Sequence, residues 1–159
     1  MSVVKNSDAA LQPLRERILA AGRAGTPLAI RGHGSKAGLA PDAARPADGA
    51  EPLDLTLLSG ISAHEPSELV VTVRAGTPID ALEAALAAEG QHLAFEPPRL
   101  QTPGARGRGT VGGMVASGLS GPARMAAGSV RDHVLGVTML DGRGELLSFG
   151  GQVMKNVAG

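Results

Sequence analysis

Leu11, Leu14, Ile18 and Leu19 recur at i, i+3, i+7 and i+8, the apolar stripe of an amphipathic helix, with Pro13 tolerable in its first turn. Gly22 and Gly25 are placed to end it. Leu28-Ala29-Ile30-Arg31 then reads as a short strand that runs straight into Gly32-His33-Gly34-Ser35-Lys36. From Ala40 to Pro52 the hydrophobic period disappears, which predicts an exposed loop. Strand patterning resumes at Leu53-Asp54-Leu55 and at Glu68 to Arg74, dense in β-branched residues. A second helix is predicted from Thr77-Pro78-Ile79-Asp80, with Thr77 as cap and Pro78 at the first helical position. Its buried face is Ile79, Leu82 and Leu86, and Gly90 stops it. After a loop holding Pro97, Pro98 and Pro103 comes Gly109 to Gly118, then a strand from Val134 to Leu140. A turn at Asp141-Gly142-Arg143-Gly144 and a return strand from Glu145 to Phe149 follow. Helix, strands, helix, loop and more strands make an α+β chain with mixed sheets, not a regular βαβ alternation.

At 159 residues the prior is one domain burying about 70% of its unfolded surface. With Phe95 and Phe149 as the only aromatic side chains, the core must come from Leu, Val, Ile and Ala. Fifteen basic and fifteen acidic side chains, scattered along the chain, argue against nucleic acid or an anionic membrane as the main partner. The absence of cysteine excludes a disulfide scaffold, a thiolate nucleophile and an iron–sulfur cluster held by this chain. The apolar runs are too short to span a bilayer, and Met1 to Ala10 lacks the pattern of a secretory signal, so a cytoplasmic location is expected. His64, His92 and His133 show no metal-like spacing, and no metal site is expected.

Two glycine-rich loops carry the candidate chemistry. In Gly32-His33-Gly34-Ser35-Lys36 the missing Cβ atoms let backbone N–H groups approach an anion, beside a hydroxyl and a cation. The competing reading is a tight turn that needs glycine twice. In the second loop, Thr110, Gly112 and Gly113 precede a short apolar stretch, and a helix start there would offer N–H groups to a pyrophosphate. The competing reading is close packing of that turn against a strand. Neither loop has the Gly-Lys-Ser/Thr ending of a nucleotide-triphosphate P-loop or the glycine spacing of a Rossmann turn.

Arg31–Lys36, Leu69–Thr77, Gly109–Gly113 and Gly128–Gly136 occur in the order and approximate spacing of a vanillyl-alcohol-oxidase-type, or PCMH-type, FAD-binding domain, which the chain resembles. Phe95-Glu96-Pro97-Pro98, Gly118–Pro122 and Phe149–Gly159 narrow the resemblance to the FAD-binding subunits of bacterial glycolate oxidases. It implies a domain of two α+β lobes, spanning residues 27–159 behind a helical segment at 1–26. By this resemblance Arg31, Gly32, His33, Gly34, Ser35 and Lys36, with Thr110, Val111, Gly112 and Gly113, clasp the FAD pyrophosphate. Ser117, Gly118, Ser129 and Asp132 would lie along the flavin or its ribityl chain. His33 stands between two glycines, out of register with the histidine that carries covalent FAD in some relatives, so a non-covalent cofactor is expected. Lys155 and Asn156 receive no role.

The resemblance also implies an activity: oxidation of glycolate to glyoxylate, beside a second FAD-binding subunit and an iron–sulfur subunit through which the chain could associate with a membrane. Oxidation of another 2-hydroxy acid such as D-lactate, and a non-catalytic FAD-binding or docking module, are the alternatives. Family members continue past the Lys-Asn-Val-Ala-Gly stretch into the rest of the second lobe and a substrate domain. The chain is therefore expected to be cut short there, with an incomplete second lobe and exposed apolar surface, to be unstable or to bind FAD weakly alone, and to have no activity alone. No residue is assigned to proton abstraction or carboxylate binding.

Overall fold

The computed structural model describes residues 8–39, 46–101 and 103–151; part of the Ala40–Pro52 loop and Lys155 and Asn156 lie outside them. Helix α1 (Gln12–Ala24) carries Pro13 in its first turn and buries Leu14 and Ala21. It ends at Gly25, whose left-handed backbone (φ 65°) lets the Thr26 N–H reach the Ala21 carbonyl at 3.0 Å. Gly22, expected as a stop, lies inside the helix: one interior glycine costs only about 1 kcal/mol, too little to terminate it.

Strand β1 (Leu28–Arg31) pairs in parallel with β2 (Glu51–Asp54), Ile30 opposite Leu53. The second strand begins before the predicted position and includes Pro52, which a two-stranded sheet accepts because its missing N–H can face outward. Strand β3 (Ile61–Glu65) was not legible: Ile61 is its only strong β-former. It runs antiparallel to β4 (Val70–Val73) through a short 3-10 turn at Pro66–Glu68. That turn, and Leu69 at φ 55°, remove Glu68 and Leu69 from the predicted strand.

Helix α2 (Ile79–Ala88) buries Ile79, Leu82 and Leu86 as the pattern requires. Its N-cap is Pro78, not Thr77. The Thr77 hydroxyl instead accepts from the Gly60 N–H (2.9 Å) and donates to the Gly60 carbonyl (3.1 Å), tying the start of β3 to the start of α2. Helix α3 (Val111–Ser117) is capped by Thr110. Two single-turn helices, α4 (Arg124–Ala127) and α5 (Val130–His133), are too short to leave a hydrophobic period in the sequence. Because the Val134 N–H closes α5, strand β5 (Gly136–Leu140) starts two residues later than predicted, and it returns as β6 (Leu146–Gly150). Asp141 Oδ1 accepts from the N–H groups of Arg143 and Glu145, both at 2.8 Å, and shapes the hairpin turn. Helix α1 lies on that turn: a Cβ at buried Gly144 would stand 3.0 Å from Arg15 Cγ.

The main core gathers Ile79, Phe95, Met114 and Val130, with Leu93, Val111, Val115 and Val134 around them. Phe95 also stacks at a tilt on His133, ring centroids 5.2 Å apart. Among the described residues the strands form three separate two-stranded sheets, so α2, α3 and α5 join what the sheets do not. The face of the β5–β6 hairpin carrying Val137, Met139 and Phe149 is exposed, Phe149 to 59%. The architecture is α+β, as the element order predicts.

Candidate functional site

The two glycine loops, some 75 residues apart in sequence, meet. A Cβ on Gly32 would lie 2.4 Å from Thr110 Oγ1, so the first loop closes on the cap of α3 only because position 32 has no side chain. At Gly109 a Cβ would lie 3.1 Å from Ser35 Oγ and 3.4 Å from Lys36 Nζ. Ser35 and Thr110 are each 3% exposed. Arg31 ends β1 with an exposed side chain, while its carbonyl accepts from the Leu55 N–H at 2.8 Å.

Lys36 is half-buried with no carboxylate at ion-pair distance among the described residues, and burial holds its ammonium below the usual 10.5. The Ser35 side chain beside it is buried. His33 Nδ1 is buried without a partner, beneath the backbone of Gly107, where a Cβ would stand 2.6 Å from it. A partly desolvated cation beside the Ser35 hydroxyl, set against a stretch of backbone at Gly109 that carries no side chain, fits an anionic phosphate group.

In the second loop the backbone donors have partners within the protein. The Val111 N–H donates to the Thr77 carbonyl (2.9 Å) and the Gly112 N–H to the Ala75 carbonyl (2.7 Å), while the Gly113 N–H donates to Thr110 Oγ1 (3.2 Å). The donors that the sequence offers to a pyrophosphate are thus taken by the β4–α2 turn and the cap. Gly112 is required for contact with Ala75, whose Cβ would be 2.8 Å from its own. What this loop presents to the gap is Gly109, beside Thr110.

Ser117, Gly118, Ser129 and Asp132 do not join this cluster through any hydrogen bond among the described residues. Gly118 (φ 62°) closes the far end of α3, and Ser117 Oγ donates to the Met114 carbonyl at 3.1 Å. The Ser129 N–H and hydroxyl both donate to Asp132 Oδ2, at 2.8 and 2.9 Å, a capping box that opens α5 and holds the Asp132 carboxyl below its usual range. Ser120 Oγ accepts from the Val130 N–H at 3.0 Å. Met114 and Val130 pack in one core, so α3 spans from the glycine gap to this second polar cluster.

Residues that the sequence did not single out frame the gap. The Arg106 N–H donates to the His33 carbonyl (2.8 Å), and its guanidinium reaches the Gly32 carbonyl (3.3 Å) and Asp54 Oδ2 (2.8 Å). Asp54 also accepts from the Thr56 hydroxyl (2.7 Å) and N–H (2.9 Å). These Thr56 bonds, with Arg106 behind them, bring its carboxyl down to about 2. Only the density of glycine and proline around position 104 marks this segment in the sequence. No group of three metal-ligating side chains, and no helix long and apolar enough to cross a membrane, occurs among the described residues.

The chain is 48% identical over 148 residues to the glycolate oxidase subunit GlcE of Escherichia coli (strain K12), an alignment that takes in 93% of this chain and 39% of that protein. The chain therefore spans well under half the length of this relative. Among solved structures, an alkyldihydroxyacetonephosphate synthase superposes with a TM-score of 0.67 at 16% identity, over 89% of this chain and 25% of its own. Phl p 4, a grass pollen allergen with glucose dehydrogenase activity, superposes at 0.68 and 20% identity, over 87% of this chain and 27% of its own. These two share the fold, that of PCMH-type FAD-binding domains. The profile of the FAD binding domain family matches residues 11–150, nearly everything from α1 to the end of β6; the chain belongs to that family, and its cofactor is FAD.

Proposed function

We propose that the chain is the FAD-binding part of a glycolate-oxidase-type oxidoreductase subunit, with the first glycine loop as the pyrophosphate seat. The observation that carries this reading is the meeting of Ser35 and Lys36 with Gly109, and of Gly32 with Thr110, which brings a hydroxyl and a partly buried cation against backbone without side chains. Bound there, FAD would supply hydride acceptance from a 2-hydroxy acid. Lys36 would neutralise phosphate charge in a partly desolvated site, where a cation acts more strongly than in water. The Ser35 hydroxyl would donate to a phosphate oxygen. Gly32 and Gly109 would let the ligand approach the backbone, and Thr110 would hold the wall they close on. Ser129 and Asp132, joined in their capping box, keep a fixed polar edge at α5, along which the flavin end would lie.

The likeness to a glycolate oxidase subunit supports glycolate as the substrate and the presence of partner subunits; glyoxylate as the product, and electron transfer to a second FAD-binding subunit and an iron–sulfur subunit, are what the family resemblance implies. A cytoplasmic complex, associated with the membrane only through its partners, fits this arrangement. Burial of His33 Nδ1 under Gly107 supports non-covalent attachment, since that nitrogen has no open approach. The groups that bind the substrate carboxylate and take its hydroxyl proton are not assigned to this chain, so the chain alone is expected to hold flavin without turning over.

The test is a titration of the chain with FAD followed by flavin fluorescence, then addition of glycolate or D-lactate with the partner subunits present. FAD binding that is weakened by Lys36→Ala, with the bound flavin reduced by glycolate in the assembly, is expected. Reduction by D-lactate alone would move the substrate reading, and bound flavin that neither acid reduces would leave a non-catalytic module.

A further inference from the structure

The geometry points to Arg106 as a positioning residue that sets the peptide planes of the first glycine loop from behind, through carbonyls and not through the ligand. It rests on the FAD reading above. All peptide bonds described are trans, so in each unit the C=O and N–H point in opposite directions. The Gly32 carbonyl belongs to the unit that carries the His33 N–H, and the His33 carbonyl to the unit that carries the Gly34 N–H. Arg106 takes both carbonyls, one with its guanidinium at 3.3 Å and one with its own N–H at 2.8 Å. Glycine has the widest backbone freedom, and the two Arg106 bonds restrict the planes on either side of His33 where two glycines flank it.

The guanidinium is itself held. Asp54 Oδ2 accepts from it at 2.8 Å, and the Thr56 hydroxyl and N–H fix the same carboxylate through Oδ1. Asp54 ends β2, the strand paired with β1, so the loop leaving β1 is braced against the neighbouring strand of its own sheet. An isolated exposed ion pair contributes little to stability. The value of this one lies in orienting a backbone that binds an anion, which is a matter of preorganisation and shows in affinity.

The experiment compares FAD dissociation constants, by flavin fluorescence, for the full chain and for Arg106→Ala, Arg106→Lys and Asp54→Asn, with the thermal transition of each recorded by circular dichroism. Arg106→Ala is expected to weaken FAD binding about tenfold, the scale of one lost charged hydrogen bond. Arg106→Lys should recover part of the affinity, and Asp54→Asn should weaken binding as well, because the guanidinium loses its anchor. Equal FAD affinity in Arg106→Ala and the parent chain overturns the inference. Weakening by Arg106→Ala with unchanged or tighter binding in Asp54→Asn also overturns it, since a guanidinium acting directly on phosphate would be freed by losing Asp54. Failure of the unaltered chain to bind FAD would strike the cofactor seat itself, a separate outcome.

Discussion

Gly32 and Thr110 face each other so closely that a Cβ on the first would stand 2.4 Å from the hydroxyl oxygen of the second. Thr110 cannot turn away freely, because the same oxygen accepts from the Gly113 N–H and caps α3. Gly32→Ala should therefore cost about 1–3 kcal/mol, the range for overpacking a filled site, and weaken FAD binding as the loop is displaced. Urea denaturation and a fluorescence titration read the two effects. Thr110→Ser, which keeps the oxygen, should be milder than Thr110→Val, which loses the cap at about 1 kcal/mol.

Two helical glycines should respond in opposite directions to the same change. Gly112 lies against Ala75, where a Cβ would come within 2.8 Å of the Ala75 Cβ and 3.0 Å of its carbonyl oxygen. Gly112→Ala should destabilise by about 1–3 kcal/mol. Gly22, inside α1, has nothing within 4 Å of an added Cβ, and Gly22→Ala should stabilise by about 0.5–1 kcal/mol. Chemical denaturation of the two variants side by side separates packing from helix propensity.

Much of this was legible before the fold was known, and the limits are physical. Both glycine loops stood out because glycine is costly unless a backbone must pass close to something. What each glycine approaches was not legible: Gly112 meets Ala75, and the N–H groups at the start of α3 are spent on the Ala75 and Thr77 carbonyls. Composition shows that a side chain is missing, not what fills the room. Strand β3 escaped notice because Ile61-Ser62-Ala63-His64-Glu65 is held by pairing with Val70–Val73 and has little strand propensity of its own. Arg106 stood in a segment with no periodicity, and its role follows from carbonyls 73 and 74 residues earlier in the chain.

If Lys36 holds the FAD phosphates as proposed, it sets ligand binding against stability. Burial lowers its folded-state value below 10.5, so the unfolded chain binds the proton more tightly and the buried charge opposes folding at neutral pH. Lys36→Met should accordingly be more stable than the parent at pH 7 in the absence of FAD, while binding FAD more weakly. The stability gap should narrow as the pH rises from the depressed folded-state value toward 10.5, where the parent lysine is losing its charge in both states. Thermal melts of the two proteins across that range test the sign.

Asp54 predicts an acid-side effect of the opposite sense. Its carboxyl falls from 3.8 to about 2 on folding, through the Thr56 hydroxyl and N–H and then Arg106. The stabilisation is fully present above 3.8 and is lost as the pH falls toward 2. Asp54→Asn should be less stable than the parent at neutral pH, with the difference shrinking through that window and gone below it. Urea midpoints measured from pH 5 downward give the comparison.

The brace on the first glycine loop also has a place in time. The loop leaves β1 early, yet the groups that shape it, Arg106 and Thr110, come more than 70 residues later. At about 5–20 residues per second of synthesis, the 74 residues from Gly32 to Arg106 take on the order of 4–15 s to be added. For that interval β1 can pair with β2 while the cofactor seat stays unformed. A nascent chain thus becomes competent to capture flavin only once Arg106 and Thr110 have been added, well after β1 and β2 have been made.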